Sequence, residues 1–581
     1  MEGKEATVLD PDAGLRRAEA LLGAGLPIDL DAGACRAHAE ECARLVELLG
    51  PAHPAAAARL RASRLVAETQ LPGADADAGA RAAAELLTAA RGLDDATRGY
   101  ALVAWGFAHP APERTDERVA AASEALELAD RLAAADRAST GFVAGACLLL
   151  LAGLLEQGDI RSLDVELLDR RAAGDDSGTA TVAEWFHCLR SILDGDVATA
   201  ERRSAALFAA ARSAGRDGLA LRTTQHCMLQ WMQGRVDGVE DDFLAARREY
   251  PQQHLWPASL AWLWLLQGRR SASTAMLAAL PDPQRLPRDR QWLATTVVLA
   301  EIARLTGPRE RAVALRELLL PFADHLVPVG VGVAFWGTCA RTLGLLEERL
   351  GLVDEAREHL ELAVAVAERI GAMAWHAEAQ IELAEFALRH ALHGIPAHAL
   401  LAEAAATSAA RGFAGLALRA RPRPAIRVLG GFEIVSVDGA PSEWSSNKAR
   451  ELLKMLVAAR GAAVGREVLM DALWPGVAPE RLGNRFAVAV NAVRRALDPA
   501  RALPTQHHLV TEGESVRLHL PHLEIDLERF HGLAEHADGE LRSAALRLYR
   551  GDAFSADPYA DWAVSVRDHA RAVRDRLAAS G

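Results

Sequence analysis

The sequence predicts a mainly α protein: a long α-solenoid of helical hairpins, then a small α+β domain, then a short helical segment. Three observations predict it. Half of the 581 residues are hydrophobic but only 5% are aromatic, with Ala and Leu abundant, which favours helix. Glycines recur at intervals of 34 to 44 residues between amphipathic stretches. After "RARPRP" (Arg419–Pro424) the hydrophobic period changes from helical to alternating. The length allows about three or four domains, each able to bury a core. The expected divisions are 1–80, helical and unassigned; 81–420, the solenoid; 425–521, the α+β domain; and 522–581, helical.

Charge is uneven. The net charge is −13, but residues 421–581 hold 22 basic against 21 acidic side chains, which leaves −14 for residues 1–420. Within residues 421–501 the count is 13 basic against 8 acidic, so this is the segment where an anionic partner is expected. Lysine occurs only at Lys4, Lys448 and Lys454. Cys35, Cys42, Cys147, Cys188, Cys227 and Cys339 form no CxxC pair and are expected as buried free thiols of a reducing cytosol. The start "MEGKEATVLD" has no basic stretch followed by an apolar core. The longest apolar run, Gly141–Leu155, is shorter than the ~20 residues of a spanning helix and reads as a buried one. The expectation is a cytoplasmic protein with no membrane association.

In the solenoid the spaced glycines are Gly158, Gly195, Gly234, Gly268, Gly307, Gly351 and Gly394. Several have alanine five positions on (Gly195/Ala200, Gly307/Ala312, Gly351/Ala356). Each unit reads as helix, tight turn, helix, and such units stack because none buries an apolar face alone. The clearest copy, "LGLLEERLGLVDEAREHLELAVAVAERIGA" (Leu343–Ala372), resembles a tetratricopeptide (TPR) repeat at Leu343–Gly344, Gly351, Ala356, Leu360 and Ala363. The wider run, about Ala120–Pro424, resembles the helical sensor region of MalT-like, STAND-class bacterial regulators. Those carry an ATPase module, but this chain has no GxxxxGKS/T loop, and Lys4 is the only lysine before Lys448. No nucleotide or other cofactor is expected. "VGVGVAFWG" (Val329–Gly337) has Phe335 in place of the third glycine of a dinucleotide fingerprint, and its flanks read as helix.

Past the linker, Ala425–Gly439 reads as β structure, with Phe432 and Ile434 alternating and Asp438–Gly439 as a hairpin turn. Three helices follow. The first, after Ser446, turns Ala449, Leu452, Leu453, Leu456 and Val457 inward. The second, about Arg466–Trp474, turns Val468, Leu469, Ala472 and Leu473 inward. The third begins near Pro479 and aligns Phe486, Val490, Val493 and Leu497 on one stripe. Asn484, Asn491 and Arg495 point the opposite way, with Arg494 on the flank. His508–Leu520 then forms two short strands around Gly513. A small sheet, three helices and a terminal hairpin compose a winged helix-turn-helix, whose third helix has the width and side chains of a major-groove reader.

"IRVLGGFEI", "NKARELLKMLVAARG", "REVLMDALWP", "NRFAVAVNAVRRALDP" and "LVTEGESVRL" follow one another as in the OmpR/PhoB-type domain of SARP-like activators. Tyr549–Leu577 resembles the opening of the bacterial transcriptional activator domain that accompanies it. The resemblance implies a transcription regulator acting in signal transduction. Asn484, Arg485, Asn491, Arg494 and Arg495 would meet double-stranded promoter DNA from the third helix. Lys448 and Arg450 would meet phosphates, and Thr511 and Arg517 would supply the wing's backbone contacts. It also implies RNA polymerase as a partner. The solenoid's concave surface would take a protein or small-molecule effector and alter how the DNA-binding domains pair as a homo-oligomer.

Other constellations read as packing. His390, His393 and His398 lack acidic or thiolate companions for a metal. His187–Cys188 and His226–Cys227 are adjacent on helices and point ~100° apart, unsuited to nucleophilic catalysis. Trp256, Trp262 and Trp264 read as solenoid core. With no GxSxG or HExxH either, no catalysis is expected. The alternative is a TPR-type interaction scaffold with a degenerate winged helix that does not bind DNA. It draws on the acidic wing tip, Glu512 and Glu514, and on Ala487 and Ala492 in the third helix.

Overall fold

The structure is a computed structural model that describes all residues except 1–10, 29–31, 72, 133–136, 160–176, 214–217, 331, 333, 391, 393, 422, 438–439, 445, 478–480, 502, 536–538 and 580–581. His393, Pro479 and the Asp438–Gly439 turn therefore lie outside the described residues. The fold is mainly helical and forms two compact units: Met1–Ala379 with Arg411–Phe413, and Gln380–Ala410 with Ala414–Gly581.

The N-terminal unit is built from successive helices, each packed on its neighbours in sequence. Five helix pairs turn around the spaced glycines: Ser177–Leu193 with Val197–Ser213, Leu219–Met232 with Glu240–Glu249, Leu255–Leu266 with Arg270–Ala278, Trp292–Leu305 with Arg309–Leu319, and Cys339–Leu350 with Val353–Ile370. Gly195, Gly234, Gly268, Gly307 and Gly351 in those turns, and Gly158 after Val143–Glu156, all have φ between 67° and 96°. There a side chain would be strained, so the spacing marks helix ends. Gly394 does not adopt this conformation. Gly344 has a different role. A Cβ there would lie 2.7 Å from the Leu360 side chain and 3.0 Å from the Ala356 carbonyl, so its bare backbone lets Cys339–Leu350 and Val353–Ile370 meet.

Buried charge in this unit is paired. Arg341 bridges Glu301 at 2.7 Å and Glu378 at 3.1 Å, and Glu347 takes Arg316 and His359. Burial opposes the charge on Glu301, but Arg341 and Arg304 outweigh it and hold its carboxyl at about 2. All six cysteines are buried and unbridged, and burial pushes Cys42, Cys188 and Cys227 up to about 12. The helix Val143–Glu156 is mostly buried, and the apolar stretch Ala138–Glu156 around it is 61% buried, so it packs as core. Trp256 and Trp262 are core, whereas Trp264 is half-buried and donates from Nε1 to Glu240.

Two expectations are corrected. The run around Val329–Gly337 is not flanked by helix throughout: Leu326–Val329 and Ala334–Thr338 pair as an antiparallel hairpin. Gly330, Gly332 and Gly337 have φ of 66°, 80° and 83°, which no helix accommodates, and the β-branched residues suit strands. Trp336 thereby reaches Trp231 and Trp262, with ring centroids 6.1 and 5.3 Å away. In the second helix after the linker, Val468 and Ala472 face solvent rather than core. That helix has only eight residues, and Leu469, Met470 and Leu473 form its single buried stripe.

The C-terminal unit contains two small sheets. In the first, β1 (Ala425–Arg427) pairs antiparallel with β2 (Glu433–Val435) and parallel with β6 (Glu524–Ile525). In the second, β5 (Ser515–Leu518) lies between β3 (Val464–Gly465) and β4 (Leu509–Glu512). Helix α1 (Asn447–Ala458) stands between β2 and β3, α2 (Arg466–Leu473) and α3 (Gly483–Leu497) stand between β3 and β4, and α4 (Asp526–Glu535), α5 (Gly539–Leu548) and α6 (Asp561–Ala579) follow β6. Helix α1 is capped by the Ser446 hydroxyl and buries Ala449, Leu452, Leu453, Leu456 and Val457. β6 lies beyond Pro521, so residues after the expected domain end complete its first sheet. Asp526 reinforces the join by accepting from the Val428 and Leu429 amides, as does Lys454 by pairing with Asp557 at 2.6 Å. This unit begins at Gln380, well before the composition break, and within it Glu382 and Glu385 pair with Arg419 and Arg423 of the linker.

Filling the close contact at Gly344 with valine is expected to destabilise the N-terminal unit by about 1–3 kcal/mol. Thermal unfolding of the full chain followed by circular dichroism checks this; an unchanged transition would refute the packing.

Candidate nucleic-acid interface

Helix α3 buries Phe486, Ala489, Val490, Val493, Ala496 and Leu497. Its C-terminal end is tied to the first sheet: the Ser442 hydroxyl donates to the Ala496 carbonyl at 2.6 Å, and the Val437 amide donates to the Leu497 carbonyl. With one face fixed, the other is exposed. Asn484, Arg485, Asn491 and Arg495 face solvent, and among the described residues none makes a hydrogen bond or ion pair. Asn484 and Arg495 are eleven positions apart, or about 16 Å along the helix.

Val488, 60% exposed, lies in the middle of this face. Residue type alone does not mark it, because an apolar residue in an amphipathic helix ordinarily turns inward. The signal was present, however: 484, 488, 491 and 495 follow the helical period. Arg481 before α3 and Arg501 after it are exposed as well, and Arg501 lines an open recess with Asn491, Arg494 and Thr505.

The remaining expected residues are engaged inside the protein. Arg494 is half-buried and donates from Nη2 to the Leu509 carbonyl at 3.3 Å and to the Thr511 hydroxyl at 3.5 Å. Arg494 and Thr511 therefore join α3 to β4, and burial lowers the Arg494 pKa. Arg450 lies over the Phe432 ring and donates to its carbonyl at 3.2 Å. Lys448, partly exposed, pairs with Glu451 one turn on. At the tip of the β4–β5 hairpin, Glu512 pairs with Arg517 at 3.4 Å and Glu514 with Arg466 at 3.7 Å. The two tip carboxylates thus have guanidinium partners, at distances where surface pairs contribute only ~0–1 kcal/mol.

At the base of this hairpin is a group of imidazoles absent from the sequence reading. His507 and His522 stack with centroids 3.8 Å apart, His519 lies 4.1 Å from His522, and His508 lies 4.7 Å from His507. His522 donates from Nδ1 to the His507 carbonyl. Arg421, Arg423 and Arg517 add positive charge nearby, while Asp498 and Glu385 oppose it. Burial first, then the neighbouring imidazoles, pushes His507 down to about 3 and His508 to about 4 and lowers His519, while burial and Arg423 lower His522.

The histidines and cysteines that read as packing have separate surroundings in the fold. His390 packs on Phe386 and His398 is exposed. Cys188 donates to the Ala200 carbonyl, and His226 turns to Asp242, away from reaction with Cys227. Among the described residues no three His, Cys, Asp or Glu side chains are grouped to hold a metal.

No protein-family model matches the chain, nor does any curated protein.

The imidazole cluster makes a pH prediction. Unfolded, these histidines take up protons near their ordinary value of 6.5; folded, His507 and His508 resist until about 3 and 4. The unfolded state thus binds more protons in that window, and stability falls as pH drops from about 6.5 toward 4. Melting curves of the full chain across that range should show the fall, with a shallower slope in His507→Gln; equal slopes would contradict the cluster's role.

Proposed function

We propose that the chain is a DNA-binding transcription regulator of SARP-like type, with a winged helix formed by β1–β6 and α1–α3, and with the TPR-like helical hairpins as sensor or assembly platform. The observation that carries this is the outward face of α3, where two amides and two guanidiniums are exposed and, among the described residues, unengaged around Val488. A merely solvated face needs no such set, whereas a major groove of about 12 Å width takes one helix and offers partners for each type. Asn484 and Asn491 have the bidentate geometry for adenine, Arg485 and Arg495 for guanine or phosphate, and Val488 the apolar surface for a thymine methyl.

Arg494 acts through the fold: by bonding to Leu509 and Thr511 it sets the angle between α3 and the wing, which would run along the phosphates. Lys448 and Arg517 would meet phosphates, and their carboxylate partners would yield to the stronger field of the duplex. One helix reads only a few base pairs, so pairing of copies on repeated sites would supply further affinity, with RNA polymerase as the downstream partner implied by the resemblance. The exposed carboxylates of Glu512 and Glu514 favour the second reading, an interaction scaffold without DNA affinity.

Fluorescence anisotropy of the full chain on DNA from upstream of its own gene, titrated with salt, separates the two. Asn491→Ala is expected to cost about 1–3 kcal/mol of specific binding. Arg485→Ala is expected to weaken all sequences and to reduce the salt slope by about 1. Absence of binding at low salt would leave the scaffold.

A further inference from the structure

In the C-terminal unit a recess opens between the second half of α3 and the chain that leads from it to β4. Its cavity of about 140 Å³ is close to the ~150 Å³ that takes up a benzene-sized molecule, so a phosphate group fits. Asn491 belongs both to this recess and to the outward face of α3, which makes the two surfaces continuous.

The lining offers donors that lack acceptors. Arg494 spends Nη2 on Leu509 and Thr511, but among the described residues Nη1 has no partner and Nε is buried without one. Burial lowers its pKa, and no carboxylate offsets that effect. Arg501 is exposed, and among the described residues its guanidinium makes no hydrogen bond or ion pair. Its backbone has φ of 51°, a left-handed conformation uncommon outside glycine, and its amide donates to the Asp498 carbonyl. The Thr505 hydroxyl and the Asn491 amide are likewise exposed and, among the described residues, unengaged. Asp498 is buried, and its carboxylate accepts from the Leu503 amide at 2.9 Å. His508 is neutral at pH 7, since burial holds it at about 4. Arg494 and Arg501 against Asp498 leave the lining with a single positive charge.

We propose that this recess seats one phosphodiester of the duplex backbone, held by Arg501, by Nη1 of Arg494 and by the Thr505 hydroxyl. The inference rests on the DNA-binding reading of α3 and adds the contact that sets how far the helix reaches across the groove. In helix-turn-helix proteins the N-terminal residues of the reading helix meet base edges. The outward face of α3 is about 16 Å long and the major groove about 12 Å wide, so its C-terminal end must meet a phosphate rail. The recess lies at that end. The negative end of the α3 dipole opposes an anion there, and the two guanidiniums offset it. A phosphodiester carries one negative charge, which balances the lining.

Fluorescence anisotropy of the full chain on duplex from upstream of its own gene, titrated with salt, tests the seat in two variants at exposed positions. Arg501→Gln is expected to bind at least threefold more weakly, with the salt slope reduced by about 1 and the preference over a scrambled duplex unchanged. Thr505→Trp fills the recess without changing charge and is expected to reduce the slope equally, with the wild-type circular dichroism spectrum. Wild-type affinity and slope in both folded variants would overturn the seat and leave the reading face of α3 standing. A slope reduced in Arg501→Gln alone would mark general attraction and overturn it too. Wild-type protein that binds no duplex at low salt would overturn both. Calorimetric titration of the free chain with sodium phosphate separates the sources: saturable binding lost in Arg501→Gln, with duplex binding unchanged, would assign the recess to a free anion and overturn the duplex.

Discussion

The C-terminal unit depends on one constraint: the inward stripe of α3 must be buried. Phe486, Val490, Val493 and Leu497 are each at most 5% exposed, and burying such side chains stabilises by roughly 1.5–3 kcal/mol apiece. This fixes the rotation of the helix about its axis. A turn of ~100°, one residue's worth, would push an amide or guanidinium of the outer face into the apolar core without a partner. The polarity of the exposed face and the greasiness of the hidden one are thus two sides of one packing decision. Arg494, Ser442 and Val437 then lock the helix to the sheets on either side.

Electrostatics follows from that geometry. The chain is acidic overall, yet its excess of arginine lies in residues 421–501, and part of it is already committed. Arg450, Arg494 and Arg423 bond to carbonyls, a hydroxyl or Glu385, which serves structure. Arg485 and Arg495 are exposed and, among the described residues, uncommitted. Counting basic residues in a sequence therefore overstates the charge available for an anion, and only the placement of each side chain corrects the count.

What was legible in the sequence is local. Left-handed glycines at helix ends, the Ser446 cap and the α3 stripe each depend on residues within a turn or two, so period and residue type reveal them. What was not legible depends on distant partners. Arg494 looked like a flank of the outer face because Leu509 and Thr511, fifteen and seventeen residues on, cannot be inferred from spacing. The pair Glu524–Ile525 is too short to show alternation, although it completes a sheet begun a hundred residues earlier. The four imidazoles converge from two sides of a hairpin. The hairpin Leu326–Thr338 was hidden in an apolar run whose period suits either structure, and Val488 was hidden by the assumption that valine turns inward.

The central claim is that the outward face of α3 is open in the free protein and covered by a duplex in the complex. Since every native thiol is buried, a Val488→Cys substitution would carry the one readily alkylated sulfur of the chain. The account predicts fast alkylation of the free variant and at least tenfold slower reaction with saturating DNA from upstream of its own gene. A thiol already slow without DNA, or equally fast with it bound, would contradict the account.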